Sequence, residues 1–353
     1  MQQSGLVDCV DIRIDDLMKK TAVGIKMTHR IVALLVCLAI ASISACSVTA
    51  ETADPLPSWT DGAVKQKIEQ FVGKVTTAGG ADFVPPEGRI AVFDNDGTLW
   101  SERPWVEGEF MKYQIKQAAI RNPAERDIQP FKAALENDQE YLENAGWPVI
   151  VGTARTITAK RTREEYDAEV VDFFAGARHR RFDVPYQQTI YQPALELIWF
   201  LRANGFSVYI CSGGGVDFMR MISGEFYGIE SDKVIGSSLK KELHRVAGKW
   251  MLVTTDEVNV FNNKDKKAVS IDLHIGKRPL LVMGNVGGKG DLGMLGYSQS
   301  HDGLSLQLLV NHDDEVREFA YAEEDNESLH EAETNGWIVI SMKEDWSLIY
   351  PSR

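Results

Sequence analysis

The sequence predicts an α/β fold, a parallel sheet interrupted by an inserted helical segment. Three observations predict it. Short apolar runs bounded by turn residues, at 89–93, 206–211 and 279–283, read as strands buried on both faces. Helical patterns separate these runs, as right-handed crossovers between parallel strands require. Between 106 and 176 the pattern turns helical and more polar, so this block reads as an insertion between the first and second core strands.

The elements follow in order. Val64, Ile68, Phe71 and Val72 recur at helical spacing, which predicts a helix over 61–74 after a linker at 47–57 containing Pro55 and Pro57. Gly79-Gly80 and Pro85-Pro86 break the chain before the first strand. Within the insertion only 148–151 suggests a strand. A helix over 194–204, stopped by Gly205, precedes the strand at 206–211, and another helix covers 216–226. Alternation around Gly248 predicts a hairpin over 243–261. After the strand at 279–283 come a short helix at 291–295, a strand at 304–310, a helix at 313–334 and a last strand at 337–341.

With 353 residues, 44% hydrophobic and 25% charged, the chain can build one large or two modest domains around a sizeable core. Its net charge of −13 gives nucleic acid no electrostatic footprint, so none is expected as a partner. An anionic ligand would need a local cation.

The first 46 residues read as a leader. Arg30 precedes an apolar run at 31–43, shorter than the roughly 20 residues a spanning helix needs. Ile43-Ser44-Ala45-Cys46 resembles a bacterial lipobox, which implies a lipid on Cys46 as the first mature residue, with Met27 as the natural start and 1–26 as an upstream extension. Ser47 resembles the residue associated with outer-membrane sorting. The expectation is therefore a lipoprotein on the periplasmic side of a bacterial envelope, held to the membrane by its acyl anchor alone. Cys9, Cys37 and Cys46 all lie in this leader, leaving Cys211 as the single thiol of the mature chain. The remaining organisation expected is a linker and helix over 47–88, a core from 89–104 and 190–353, and a helical cap over 105–189.

The chemistry concentrates at strand ends. Phe93-Asp94-Asn95-Asp96-Gly97-Thr98 places two carboxylates two residues apart just past a buried strand, where ligands of open parallel sheets bind. Like charges so close need a cation or a shared proton, and hard oxygens of this kind suit Mg²⁺. A turn with a helix cap is the plain alternative, since Asp-Gly is a common turn pair. Ser212, at the end of the second strand, is followed by Gly213-Gly214-Gly215, a turn able to offer backbone N–H groups to an anion. Lys264, Lys266 and Lys267 supply a candidate cation for a phosphate. Finally, Gly284-Asn285 and Asp291 put an amide oxygen and a carboxylate after a further core strand.

These four segments, in this order, resemble the motifs of the haloacid dehalogenase superfamily, and their spacing resembles its phosphoserine phosphatase-like branch. The likeness runs from about Arg89 to the end and implies a Rossmann-like parallel sheet with an inserted helical cap. It further implies a phosphatase of small phosphomonoesters. Asp94 would be the nucleophile, forming an aspartyl-phosphate, and Asp96 the acid and base. Mg²⁺ would bind the Asp94 carboxylate, the Asp96 carbonyl and the fourth segment, while Ser212, Gly213 and Lys267 would hold the phosphoryl oxygens. Lys264 and Lys266 remain alternatives to Lys267. The fourth segment departs from the pattern: Asn285 stands where Asp is usual, and glycines lengthen the gap to Asp291, so either residue could be the direct metal ligand.

Phosphotransfer would use the same residues, and a catalytically idle binding lipoprotein is the alternative from another class. Dehalogenation is disfavoured, because it has no leaving alcohol for Asp96 to protonate. Gly288-Lys289-Gly290-Asp291-Leu292-Gly293 spells a dinucleotide fingerprint, but late in the chain and before a very short helix. His312-Asp313-Asp314 reads as a helix cap, with a place on the active-face rim as the alternative. Trp100, Glu102, Arg103 and Trp105 could meet the leaving group, with packing between cap and core an equal reading for the tryptophans, and Arg155, Arg161 and Arg163 read as a charged helix surface, with the cleft as the alternative.

Overall fold

The apolar spacing of the first helix is realised in α1 (Ala63–Thr76), where Ile68, Phe71, Val72 and Val75 bury one face. This is a computed structural model, and it describes residues 54–351; the expected leader with Cys46, and the linker up to residue 53, lie outside the described residues. At the end of the linker Leu56 is buried, and just beyond it Trp59 is buried and Ser58 bonds through N and Oγ to the Glu196 carboxylate at 2.8 and 2.6 Å.

β1 (Ile90–Phe93) is buried at all four positions. The insertion then runs through α2 (Val106–Arg121), α3 (Phe131–Glu136), α4 (Gln139–Thr158) and α5 (Arg163–Gly176). Ile115, Ala133, Ala134, Leu142 and Ile150 form a small core of its own, while Phe110, Val170 and Phe173 join the main core. Thr162 starts α5 with a capping box: Glu165 N–H donates to its Oγ, and its own N–H donates to the Glu165 carboxylate. The strand expected at 148–151 is helical instead. Gly146, at φ 74° and ψ 162°, breaks α4 and lets Pro148 start the segment that follows.

The core resumes with α6 (Gln192–Ala203), β2 (Ser207–Gly215) and α7 (Val216–Tyr227). Next come β3 (Val234–Val246), β4 (Lys249–Val260), α8 (Asp265–Ile275) and β5 (Leu281–Asn285), then α9 (Leu292–Gln299), β6 (Leu306–Asn311), α10 (Glu327–Asn335) and β7 (Ile338–Ser341). The seven strands form one sheet in the order β4-β3-β2-β1-β5-β6-β7. All neighbouring pairs are parallel except β3 and β4. The α/β fold with a mostly parallel, Rossmann-like sheet and a helical insertion is therefore as expected. From β1 the chain builds outward through β2 to β3, then returns to place β5 on the other side of β1. That reversal opens a crevice at the carboxyl ends of β1 and β5.

Three further expectations change. The hairpin is longer than 243–261, because β3 begins as a core strand parallel to β2 and only then continues into the antiparallel arm. Lys267 lies on a helix, α8, where the sequence showed only a basic stretch. The helix expected over 313–334 is confined to α10. Before it, Asp314 accepts from the N–H groups of Val316 and Arg317 and pairs with the Arg317 guanidinium, which also reaches the carbonyls of Met342 and Trp346. These side-chain bonds hold the segment as a loop, so His312-Asp313-Asp314 caps a turn and no helix.

Candidate active site

Asp94 leaves β1 at the crevice floor, its N–H donating to the Met283 carbonyl of β5 at 2.9 Å. Its Oδ1 accepts from Lys267 Nζ at 2.6 Å, and the same ammonium donates to Asp291 Oδ1. All three side chains are buried. One ammonium shared by two buried carboxylates cannot satisfy both. Burial, followed by the Asp291 charge, holds the Asp94 pKa well above the usual carboxylate range despite Lys267. Burial opposes the Lys267 charge, but Asp291 and Asp94 hold its pKa above that of a free lysine. Lys264 and Lys266 are exposed, so of the three candidate lysines only Lys267 lies in this cluster.

Asp96 sits partly exposed two residues on. Burial pushes its pKa up to about 6, tempered by Trp100, whose Nε1 donates to Oδ1 at 2.8 Å. Between the acids, Asn95 turns inward and its Oδ1 accepts from Tyr227 OH at 3.0 Å. Gly97 has φ 73°, and a Cβ there would overlap the Asn285 amide. Only glycine satisfies both the backbone and the space. The Gly97 carbonyl accepts from His312 Nε2 at 2.8 Å. His312 Nδ1 lies 3.6 Å from Glu318, which also accepts from Ser101 Oγ at 2.7 Å and Tyr191 OH at 3.1 Å. A buried polar network thus supports the first turn from behind. His312 is on the active-face side, but through Gly97.

Ser212 is buried, and its Oγ accepts from Gly214 N–H at 3.1 Å. Asn262, unnoticed in the sequence, donates to the Ser212 carbonyl at 2.9 Å. The glycine run continues β2 with a register shift against β3 and forms no free loop. A Cβ on Gly214 would stand 3.0 Å from Glu107 Oε2, 3.5 Å from Ser212 Oγ and 3.6 Å from Asp96 Oδ2, so the three groups converge on that backbone. Gly213 lines the adjoining cavity between insertion and core.

Glu107 was also missed. It opens α2, and its buried carboxylate accepts the Gly215 N–H at 2.9 and 3.1 Å. Burial, with the Asp96 and Asp217 charges, raises its pKa to about 7 against the pull of that N–H. On the other flank, Glu102 lies near Asn285 Nδ2, at 3.4 Å, at the edge of an open cleft of about 780 Å³. The Asn285 N–H donates to Asp291 Oδ2 at 2.9 Å. Asp291 is thereby tied to Lys267 and the β5 backbone, so the glycine-rich fingerprint around it serves this cluster.

The donor chemistry fits a hard cation. Asp94, Asp96 and Asp291 carry three potential negative charges against the single Lys267 ammonium. The candidate oxygens are the Asp94 carboxylate, the Asp96 carbonyl and the amide of Asn285, whose nitrogen lies toward Glu102 and His312. Among the described residues no three His, Cys, Asp or Glu side chains converge as a metal cluster. A cation held by one carboxylate and two neutral oxygens, with water completing its shell, is the arrangement magnesium favours.

A conserved protein of unknown function from Anaerococcus prevotii is similar in structure, with 15% identity, a TM-score of 0.53, and 79% of this chain and 91% of that one covered. A Bordetella pertussis protein of unknown function matches with 16% identity, 71% and 97% coverage and a TM-score of 0.45. A phosphoserine phosphohydrolase-like protein from Francisella tularensis matches with 14% identity, 71% and 94% coverage and a TM-score of 0.38. No curated protein matches the sequence. At these identities the Anaerococcus structure speaks for the fold alone. Residues 91–280, however, match the haloacid dehalogenase-like hydrolase family, a span that holds Asp94, Asp96, Ser212 and Lys267. With more than half its length in that match, this chain belongs to the haloacid dehalogenase-like hydrolases.

Proposed function

We propose that this hydrolase is a Mg²⁺-dependent phosphatase of small phosphomonoesters, working through an aspartyl-phosphate on Asp94. The observation that carries the reading is the buried Asp94–Lys267–Asp291 cluster at the ends of β1 and β5, with Asp96 two residues beyond the nucleophile.

Asp94 attacks phosphorus as the bond to the leaving oxygen breaks, and Asp96 gives that oxygen its proton. Burial supports this role, since it raises the Asp96 pKa to about 6, the direction that suits a general acid. Asp96, now ionised, takes a proton from water, which attacks the aspartyl-phosphate and frees Asp94. Lys267, Ser212 Oγ and the Gly213 N–H hold phosphoryl oxygens. Asp94, the Asp96 carbonyl and Asn285 would hold Mg²⁺, with Asp291 acting through Lys267 and the β5 backbone. Bound there, Mg²⁺ supplies the positive charge that offsets the acidic excess and the phosphate. The helical insertion acts as the cap over this crevice.

The test is phosphate release from p-nitrophenyl phosphate and a panel of other phosphomonoesters with Mg²⁺ or with EDTA. Wild type should turn over with Mg²⁺ alone, and Asp94→Asn should lose at least about a thousandfold in kcat. No metal-dependent turnover on any ester overturns the reading, and activity surviving in Asp94→Asn removes the nucleophile. We also place the mature protein on the periplasmic side of the outer membrane, lipidated at Cys46. Mass spectrometry of its N-terminus should find the lipid there; an unprocessed Met1 or Met27 contradicts it.

A further inference from the structure

A second cavity, of about 240 Å³, lies between insertion and core and opens at Gly213 and Gly215. Its lining is mainly apolar, through Phe110 from α2, Ala154 from α4, Leu239 from β3 and Val260 from β4, with Gln114 and Thr254 among its polar members. At the mouth stands Glu107, whose carboxylate brackets Gly214 together with Asp96. Gly214, whose Cβ position would lie 3.6 Å from Asp96 Oδ2, stands between Gly213 and Gly215, which line the cavity.

The charges around this space are already engaged. Arg163 pairs with Asp167 and Asp217, and Lys241 also binds Asp217. Arg155, at the rim, donates through Nε and Nη2 to the Asp256 carbonyl. Each charged group of the lining thus already meets a protein group: Glu107 the Gly215 N–H, Asp217 both Arg163 and Lys241, and Arg155 a carbonyl. Size is informative too, since roughly 150 Å³ of apolar cavity suffices for one benzene ring. The larger cleft beside Glu102 is open and lined by charges of both signs, Arg103 and Lys289 with Glu323, Glu324 and Asp325, so it offers an apolar alcohol no enclosing wall.

We infer that the physiological substrate is the phosphate monoester of an uncharged, apolar alcohol about one ring in size, with the alcohol buried in this cavity. The inference rests on the phosphatase reading. Specificity then resides in Phe110, Ala154, Leu239 and Val260, and small charged alcohols gain nothing from the cap.

The experiment compares kcat/KM with Mg²⁺ for benzyl phosphate, glycerol 3-phosphate, O-phosphoserine and acetyl phosphate. The first two share a primary alkyl leaving group, so their difference reports the cavity and not leaving-group acidity. Benzyl phosphate should exceed glycerol 3-phosphate and O-phosphoserine at least tenfold. Ala154→Trp, which fills the cavity, should lower kcat/KM for benzyl phosphate at least tenfold further than it lowers that for acetyl phosphate. Val258→Trp, at a half-exposed position of the same wall, should act in the same direction without risk to the core. Acetyl phosphate turnover without a benzyl preference overturns the cavity assignment alone, as does a preference that both variants leave intact. No turnover of any of the four overturns the phosphatase reading and this inference with it.

Discussion

Glu107 and Gly215 are joined by a hydrogen bond of 2.9 Å that ties the first helix of the insertion to the end of β2. The bond crosses from insertion to core beside the proposed phosphate site, and it buries a carboxylate whose pKa is raised to about 7.

A raised carboxyl pKa has a definite sign. The stability it contributes is fully present below the unfolded value near 4.5 and is lost as pH rises through about 7. Urea denaturation of the metal-free protein should therefore show wild type losing up to about 3 kcal/mol between pH 4.5 and 8 from this group. Glu107→Gln keeps an oxygen for the Gly215 N–H and removes the titration, so its stability should gain on wild type as pH rises. A constant difference between the two proteins across that range would contradict the assignment.

Lys267→Met leaves two buried carboxylates facing each other without a cation. Removing one partner of a buried ion pair costs about 3–5 kcal/mol, and a loss of that size is expected at pH 8. Adding Asp291→Asn to Lys267→Met should recover at least about 1 kcal/mol. Equal stability of the single and double variants would show that the carboxylates do not repel.

Gly97→Ala combines a left-handed backbone with a clash against the Asn285 amide. The strain is worth about 1–3 kcal/mol. Because the displaced group is a proposed metal ligand, the Mg²⁺ concentration for half-maximal turnover should rise severalfold as well. Titration of activity against Mg²⁺ reads this directly, and an unchanged midpoint would remove Asn285 from the ligand set.

His312→Leu takes the donor from the Gly97 carbonyl and a neighbour from Glu318. Unsatisfied buried polar groups cost about 1–3 kcal/mol each, so thermal denaturation should place this variant below Ser101→Ala, which removes only one of the several donors to Glu318. The reverse order would show that Gly97 does not depend on His312.

Much of this was legible because parallel sheets write their sites at strand ends. Asp94, Asp96, Ser212 and Asn285 each follow an apolar run, so the period of the sequence located them. Lys267 stood out from Lys264 and Lys266 only by resemblance, since no local pattern separates a buried lysine from its exposed neighbours. Glu107 was invisible for a similar reason. One acid in the first turn of a helix looks like any other, and only the path of the insertion brings it against Gly215. The stretch before α10 misled because its acids and alanines have helical preferences, yet Asp314 and Arg317 fix a loop through bonds to distant carbonyls. Non-local pairing overrode propensity there.

The wall of the cap–core cavity belongs half to the insertion, through Phe110 and Ala154, and half to the β3–β4 arm, through Leu239 and Val260. The two halves are encoded some 80 residues apart, on either side of the second core strand. Grafting the insertion into a related scaffold would therefore transplant one jaw without the other. If the cavity holds the alcohol as inferred, a chimera must carry the arm as well, and divergence in either segment alone would retune which alcohol is accepted.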